Sequence, residues 1–246
     1  MKLTNKILVD LEKAISSTGD LLFEFAVSLI LIPKTFFKVL TNPVWAIDYV
    51  SSEYPEKAKA RFEKYSHPIL FWIVIGILPY YILLNIFFMN IDNKKIVEAF
   101  REIGAASLVS SISIYLVSFP VSCAFILHVF KHRVFVKSTF KRTFFTQLYI
   151  TAPVQFFYCA YFLIFGVDDS IVLLLLSLTF FAIFIWFSIS EITIIRVELN
   201  FSFLKGMGIF ILMYLSFFIF AMMCFCVFFA MNIQSIQKLV DAVFEV

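Results

Sequence analysis

From Phe203 to Met231 the chain reads FLKGMGIFILMYLSFFIFAMMCFCVFFAM, an apolar run interrupted by one charge, Lys205. A hydrocarbon core about 30 Å thick is crossed by roughly 20 apolar residues in a helix, and a run this long has no ordinary place in a small soluble domain. Four more such runs precede it: Ile69 to Met89, Ser107 to Phe130, Thr143 to Phe165 and Ile171 to Ile195. They are continuous rather than alternating, which excludes barrel strands, and in lipid only helices or closed barrels satisfy every backbone group. The sequence therefore predicts an all-α fold, a polytopic transmembrane helical bundle of five spans.

Composition agrees. Hydrophobic residues make up 62% of the 246 and charged residues 15%, against about 25% charged in an average soluble domain. The net charge of +3 is small and the basic residues cluster beside the spans. That arrangement suits anionic lipid headgroups and implies membrane lipids as partners, with no nucleic acid. Residues 1–68 read as a cytoplasmic and interfacial N-terminal arm, 69–231 as the membrane domain and 232–246 as a short outer tail. Within the arm, Leu21 to Leu40 is expected to lie flat as an interfacial helix. Glu24, Lys34 and Lys38 interrupt it, Pro33 breaks it, and its uncharged core of about eight residues is too short to cross. Val44 to His67 is polar and reads as a solvated or surface-lying helix. No cleavage site follows the first apolar run, so no cleaved signal peptide is expected.

Sixteen of the 20 basic residues fall in the arm and in the loops after the second and fourth spans. Basic residues stay preferentially on the cytoplasmic side, which puts the N-terminus inside and the C-terminus outside. Cys123, Cys159, Cys224 and Cys226 all fall within spans and read as four buried thiols.

The search for chemistry is sparse. The sequence has no HExxH, no GxSxG and no GxxxxGK[ST], so no catalytic residue, metal site or cofactor is assigned and the chain reads as a non-enzyme. His128 and His132 stand four apart, a legitimate metal spacing. With Lys131 and Arg133 beside them they read instead as a basic juxtamembrane collar. Glu191 is the one acid well inside a span and thus a candidate for proton or ion coupling; the plainer reading has it reach the interface or pair with Arg196. Gln147, Thr151 and Gln155 recur every four residues and form one polar stripe on the third span. Ser107, Ser111, Ser118 and Ser122 repeat on one face of the second. This polar intramembrane stripe serves either close helix packing with hydrogen bonds or a groove for polar headgroups. Pro79, Pro120 and Pro153 sit mid-span in three successive helices and invite kinks. The 34 phenylalanines are dispersed and read as lipid-facing and packing bulk, and Trp72 fits an interfacial belt. The sequon Asn200-Phe201-Ser202 falls on the cytoplasmic side and is discarded.

The order of features from Pro33 onward resembles the Yip (Ypt-interacting protein) family, integral membrane proteins with a cytosolic N-terminus and five spans. The echoes are Pro33-Lys34-Thr35-Phe36-Phe37 with Leu40 and Pro43, Pro153 following Thr143-Phe144-Phe145, and Trp186 leading to Gly206 after a short basic loop. The polar segment Val44 to His67 departs from that family's compact first segment. The resemblance implies a non-catalytic partner or scaffold acting on another membrane protein or transporter subunit, or on membrane organisation. The short arm is similar to bacterial members, which implies the bacterial inner membrane. The alternative is a permease subunit of a phospholipid-type ABC transporter, whose layout is also similar, with Lys131 to Arg142 as a coupling segment docking on a separate ATPase. Oligomeric state is left open.

Overall fold

The computed structural model describes residues 25–53, 62, 64–89, 105–132, 135–163, 170–234 and 237. Those residues are helical throughout apart from short turns and connections. Residues 25–30 are helical and lead through a turn at Leu31 into α1, Ile32–Thr41; α2 is Trp45–Glu53. A rod then runs from α3, Pro68–Trp72, through a π-helical turn at Ile73–Ile77, into α4, Leu78–Met89. The long helices follow as α5, Ala105–Lys131, α6, Lys137–Leu163, α7, Ser170–Leu199, and α8, Phe203–Met231.

Among the described residues three helices are long and apolar enough to cross a membrane, over Ile112–Lys131, Ser177–Leu199 and Phe203–Ala230. The two other expected spans differ for separate reasons. Pro68–Leu83 is apolar but shorter. α6 has the length, 27 residues, but its charged first turns and its glutamines dilute its hydropathy. That dilution follows from its position, because every residue from Phe145 to Pro153 is buried. α6 is the central helix, packed by α2, the α3–α4 rod, α5 and α7, while α8 packs peripherally on α5 and α7. Polar groups concentrate where the surroundings are protein, and the peripheral helices stay apolar.

The π turn sits directly ahead of Pro79, with Leu78 N–H bonded to Ile73 C=O. A proline ring crowds the carbonyl four residues before it, and a widened turn relieves that crowding. Gly76 lies within the turn, where a Cβ would come within 2.5 Å of Gln155 Oε1 and 3.2 Å of Trp72. Trp72 is therefore buried at 5% exposure rather than placed in an interfacial belt. Between α7 and α8, Asn200 takes a left-handed φ of 54° and turns the chain, a conformation asparagine tolerates well.

The described part of the N-terminal arm is built into the bundle. Ile32, Thr35 and Val39 form the buried face of α1, and Ala46, Ile47, Tyr49 and Val50 that of α2. Phe36 meets Phe156 edge to face at 5.8 Å, and Trp186 Nε1 donates to Leu40 C=O at 2.9 Å. The connection just before α3 is tied by side chains from three helices. Thr35 Oγ1 accepts from Ser66 N–H at 2.9 Å, Tyr149 O–H donates to Ser66 C=O at 2.5 Å, and Tyr49 Oη accepts from Tyr65 N–H at 3.2 Å. A buried loop must have its backbone groups satisfied, and here hydroxyls supply the partners. Trp45, Tyr49, Tyr65 and Tyr149 pack around it with ring centroids 4.3 to 6.4 Å apart. Within the segment Val44 to His67, expected to be solvated or surface-lying, α2 thus buries one face inside the protein, while residues 54–61 and 63 lie outside the described residues.

His67 caps α3, its Nδ1 accepting from Ile69 N–H at 3.3 Å. Burial, helped by the positive charge of Lys141, lowers its pKa from 6.5 to about 4. A histidine held neutral in the fold contributes stability that is complete above its unfolded pKa and is lost as pH falls from 6.5 towards 4. The melting temperature in detergent should therefore drop across that window. In His67→Asn, which keeps a capping group but does not titrate, the drop between pH 6.5 and 4.5 should be smaller than in the parent chain.

Candidate functional site

The polar stripe of α6 lies inside the protein. Gln147 and Thr151 are fully buried and Gln155 is 5% exposed. Ser118 and Ser122 of α5 are buried as well, while the side chains of Ser107 and Ser111 lie outside the described residues.

Gln155 does the most specific work. Pro120 has no N–H, so the carbonyl four residues earlier in α5, that of Leu116, loses its helical donor. Gln155 Nε2 donates to that same carbonyl at 2.8 Å. The amide replaces the missing backbone bond and joins α6 to α5 where α5 is weakest. Its Oε1 has no hydrogen-bond partner among the described residues and rests against Gly76 of the π turn. Thr151 turns back on its own helix, donating to Gln147 C=O at 2.8 Å, and Ser118 does the same to Tyr115 C=O at 2.5 Å.

Two turns along the stripe, Gln147 Nε2 donates to Glu191 Oε2 of α7 at 3.2 Å. Glu191 is fully buried, and among the described residues neither its Oε1 nor Gln147 Oε1 has a hydrogen-bond partner. This corrects the plainer expectation for Glu191: it neither reaches the surface nor pairs with Arg196, which is exposed on α7. An acid enclosed this way has a neutral amide as its partner, and a charge there is costly while a protonated carboxyl is not.

The basic collar is also corrected. His128 is 2% exposed, with its ring 4.9 Å from His132, 5.0 Å from Phe135 and 5.7 Å from Phe140, and its Nε2 accepts from Val136 N–H at 3.4 Å. It closes the α5–α6 connection from inside. Lys131 forms an ion pair with Glu198 at the end of α7. His132 is half-buried, and Arg133 lies outside the described residues. Among the described residues no three His, Cys, Asp or Glu side chains gather as metal ligands. Of the thiols, Cys123 and Cys159 are buried, Cys224 is half-buried and Cys226 is exposed on α8, so two of the four depart from the expected burial. Residues 137–142, expected within a coupling segment, are the first turns of α6 itself.

Sequence reasoning noted Pro120 and Gln155 separately and did not join them. The link was visible in principle, because a mid-helix proline names the carbonyl it orphans. The contact of Gly76 with Gln155 was missed; it depends on how the rod crosses α6, which no local pattern encodes.

The chain matches no family model, no curated protein and no solved structure.

Replacing Gln155 with Leu should cost about 1–3 kcal/mol, the penalty for an unpaired buried carbonyl. In a Pro120→Ala background the helix supplies its own donor, so the same replacement should cost measurably less. A double-mutant cycle on thermal unfolding reads the difference. Glu191→Gln, which keeps the shape and removes the ionisable group, should leave the melting temperature at pH 8 unchanged or higher. Glu191→Lys should prevent folding, as judged by loss of the monodisperse peak in size-exclusion chromatography.

Proposed function

We propose that this chain is a five-span integral membrane protein that works without catalysis, as a partner or scaffold for another membrane protein or transporter subunit. The observation that carries the reading is the use made of its intramembrane polar groups. Gln155 answers the carbonyl freed by Pro120, Gln147 holds Glu191, and Thr151 and Ser118 bond within their own helices. The two glutamines of the stripe join helices and its hydroxyls bond within their own, which favours packing over a headgroup groove.

Five spans are supported by length. The α3–α4 rod covers Pro68–Met89, and at 1.5 Å per residue it reaches about 33 Å. α6 has 27 residues and owes its lower hydropathy to groups turned inward. The distribution of basic residues supports a cytoplasmic N-terminus, and the five-span layout is the one that the Yip resemblance implies. A bacterial inner membrane is the compartment proposed on the same ground.

Among the described residues the outward surface is largely apolar, and α8 offers the largest share of its exposed hydrophobic side chains. Leu204, Leu215, Phe218, Ile219 and Met223 are each more than half exposed. A photoreactive residue at Leu215 or Phe218, activated in native membranes, should give one dominant protein adduct of defined mass. The same residue at Leu174 on α7, also exposed, should not give that adduct. Adducts with lipid alone would remove the scaffold reading. Nucleotide-dependent co-purification with an ATPase would replace it with the permease reading.

A further inference from the structure

A cavity of about 300 Å³ lies between α4, α5, α6, α7 and α8. Eight of its twelve lining side chains are aromatic, far above the 19% aromatic content of the chain, so its walls are built from ring faces and edges. Phe119 and Phe217 meet at 4.8 Å, Tyr158 and Phe180 at 5.0 Å, and Tyr115 and Phe217 at 5.4 Å, each pair steeply inclined. Such inclined contacts brace one ring against the next.

Four of the lining rings are tyrosines: Tyr80, Tyr115, Tyr158 and Tyr214. The hydroxyls of Tyr80, Tyr115 and Tyr214 have no hydrogen-bond partner among the described residues. Phenylalanine would line an apolar gap as well, without the cost of a hydroxyl left unpaired in hydrocarbon. Tyr81, by contrast, is hydrogen-bonded to Ser113 at 2.8 Å. The rim residues Tyr115, Tyr158 and Phe184 are 46%, 41% and 43% exposed, so the cavity opens sideways, on the five-span reading towards the acyl chains.

A bare acyl chain would fill the apolar part of this space and leave the phenols unanswered. A ligand that answers both has a flat conjugated ring to lie against the aromatic walls and carbonyl oxygens at the ring edge to accept from the hydroxyls. A tail soluble in lipid would leave by the side opening. We propose that the cavity binds the headgroup of a membrane-dissolved quinone, with Tyr115 and Tyr214 donating to its carbonyl oxygens and its apolar tail passing out between Tyr115, Tyr158 and Phe184. The volume is at the lower end of small-molecule sites, as suits a single ring held with its tail outside. The cavity uses Tyr214 and Phe217 of α8, whereas the partner surface described above uses the neighbouring exposed side chains Leu215 and Phe218.

The test uses the full chain in nanodiscs of phosphatidylcholine, with decylubiquinone as the probe and quenching of the protein's tryptophan fluorescence and thermal stabilisation as readouts. Binding should saturate. Tyr115→Phe combined with Tyr214→Phe, which keeps both rings, should weaken it about tenfold, the loss expected for two hydrogen bonds. Ile183→Trp, which fills the cavity from its lining and leaves every hydroxyl in place, should abolish saturable binding while the chain still elutes as a single species. Unchanged affinity in the double Phe variant would overturn the proposal. So would equal thermal stabilisation by diacylglycerol, because the cavity would then be an ordinary lipid crevice. A failure here leaves the adduct at Leu215 unaffected, and loss of that adduct leaves quinone binding unaffected.

Discussion

A backbone carbonyl that has lost its helical donor and is shielded from water must find another, and Gln155 provides it for Leu116. The constraint is severe because an unpaired polar group in hydrocarbon costs several kcal/mol. It is also directional. To reach the carbonyl, α6 must present Gln155 at the height of the turn before Pro120, which fixes how the two helices slide and rotate against each other. The far side of the same amide then lies against Gly76, where a larger residue would have to displace it. One side chain thereby sets the register of α5, α6 and the α3–α4 rod. Gln147 performs the equivalent task for α7 by holding Glu191.

From this follows the layered character of the bundle. α6 carries the polar groups and is enclosed, from Phe145 to Pro153, on every side. The helices around it shield it, and α8, furthest out, presents mainly aliphatic and aromatic side chains. A protein in water places polar groups outside and apolar groups within. Here the gradient runs the other way for the central helix, as expected where the surroundings are apolar and polar groups gain most from meeting one another. The N-terminal helices complete the enclosure at one end, where hydroxyls of Thr35, Tyr49 and Tyr149 take up the backbone groups of residues 65 and 66.

Much of the architecture was legible because length and continuity of apolar runs are local properties. The helix at Phe203 to Met231 needed nothing more. The polar stripe was legible too, since a repeat of four places Gln147, Thr151 and Gln155 on one face whatever surrounds them. What each member of the stripe bonds to was not, because the answer lies on other helices whose rotation is a tertiary outcome. Trp72 shows the same limit. Its place in the sequence fits a membrane boundary, yet the glycine one turn later lets it fold inward. His128 was read from its charged neighbours, while the structure buries it through Phe135, Phe140 and the amide of Val136. The burial of Tyr49 and Val50 escaped notice because the charges around them dominate any count over that window.

The loop ahead of α3 is held in part by a residue made much later: Tyr149 follows Ser66 by 83 residues. At synthesis rates of 5–20 residues per second, that interval is about 4–17 s. Through it the first two helices and their connection exist without their seat, carrying apolar faces and unpaired amides that the finished bundle conceals. The nascent chain therefore has to park α1 and α2, at the headgroup boundary or against the insertion machinery, until the central helix α6 arrives to receive them.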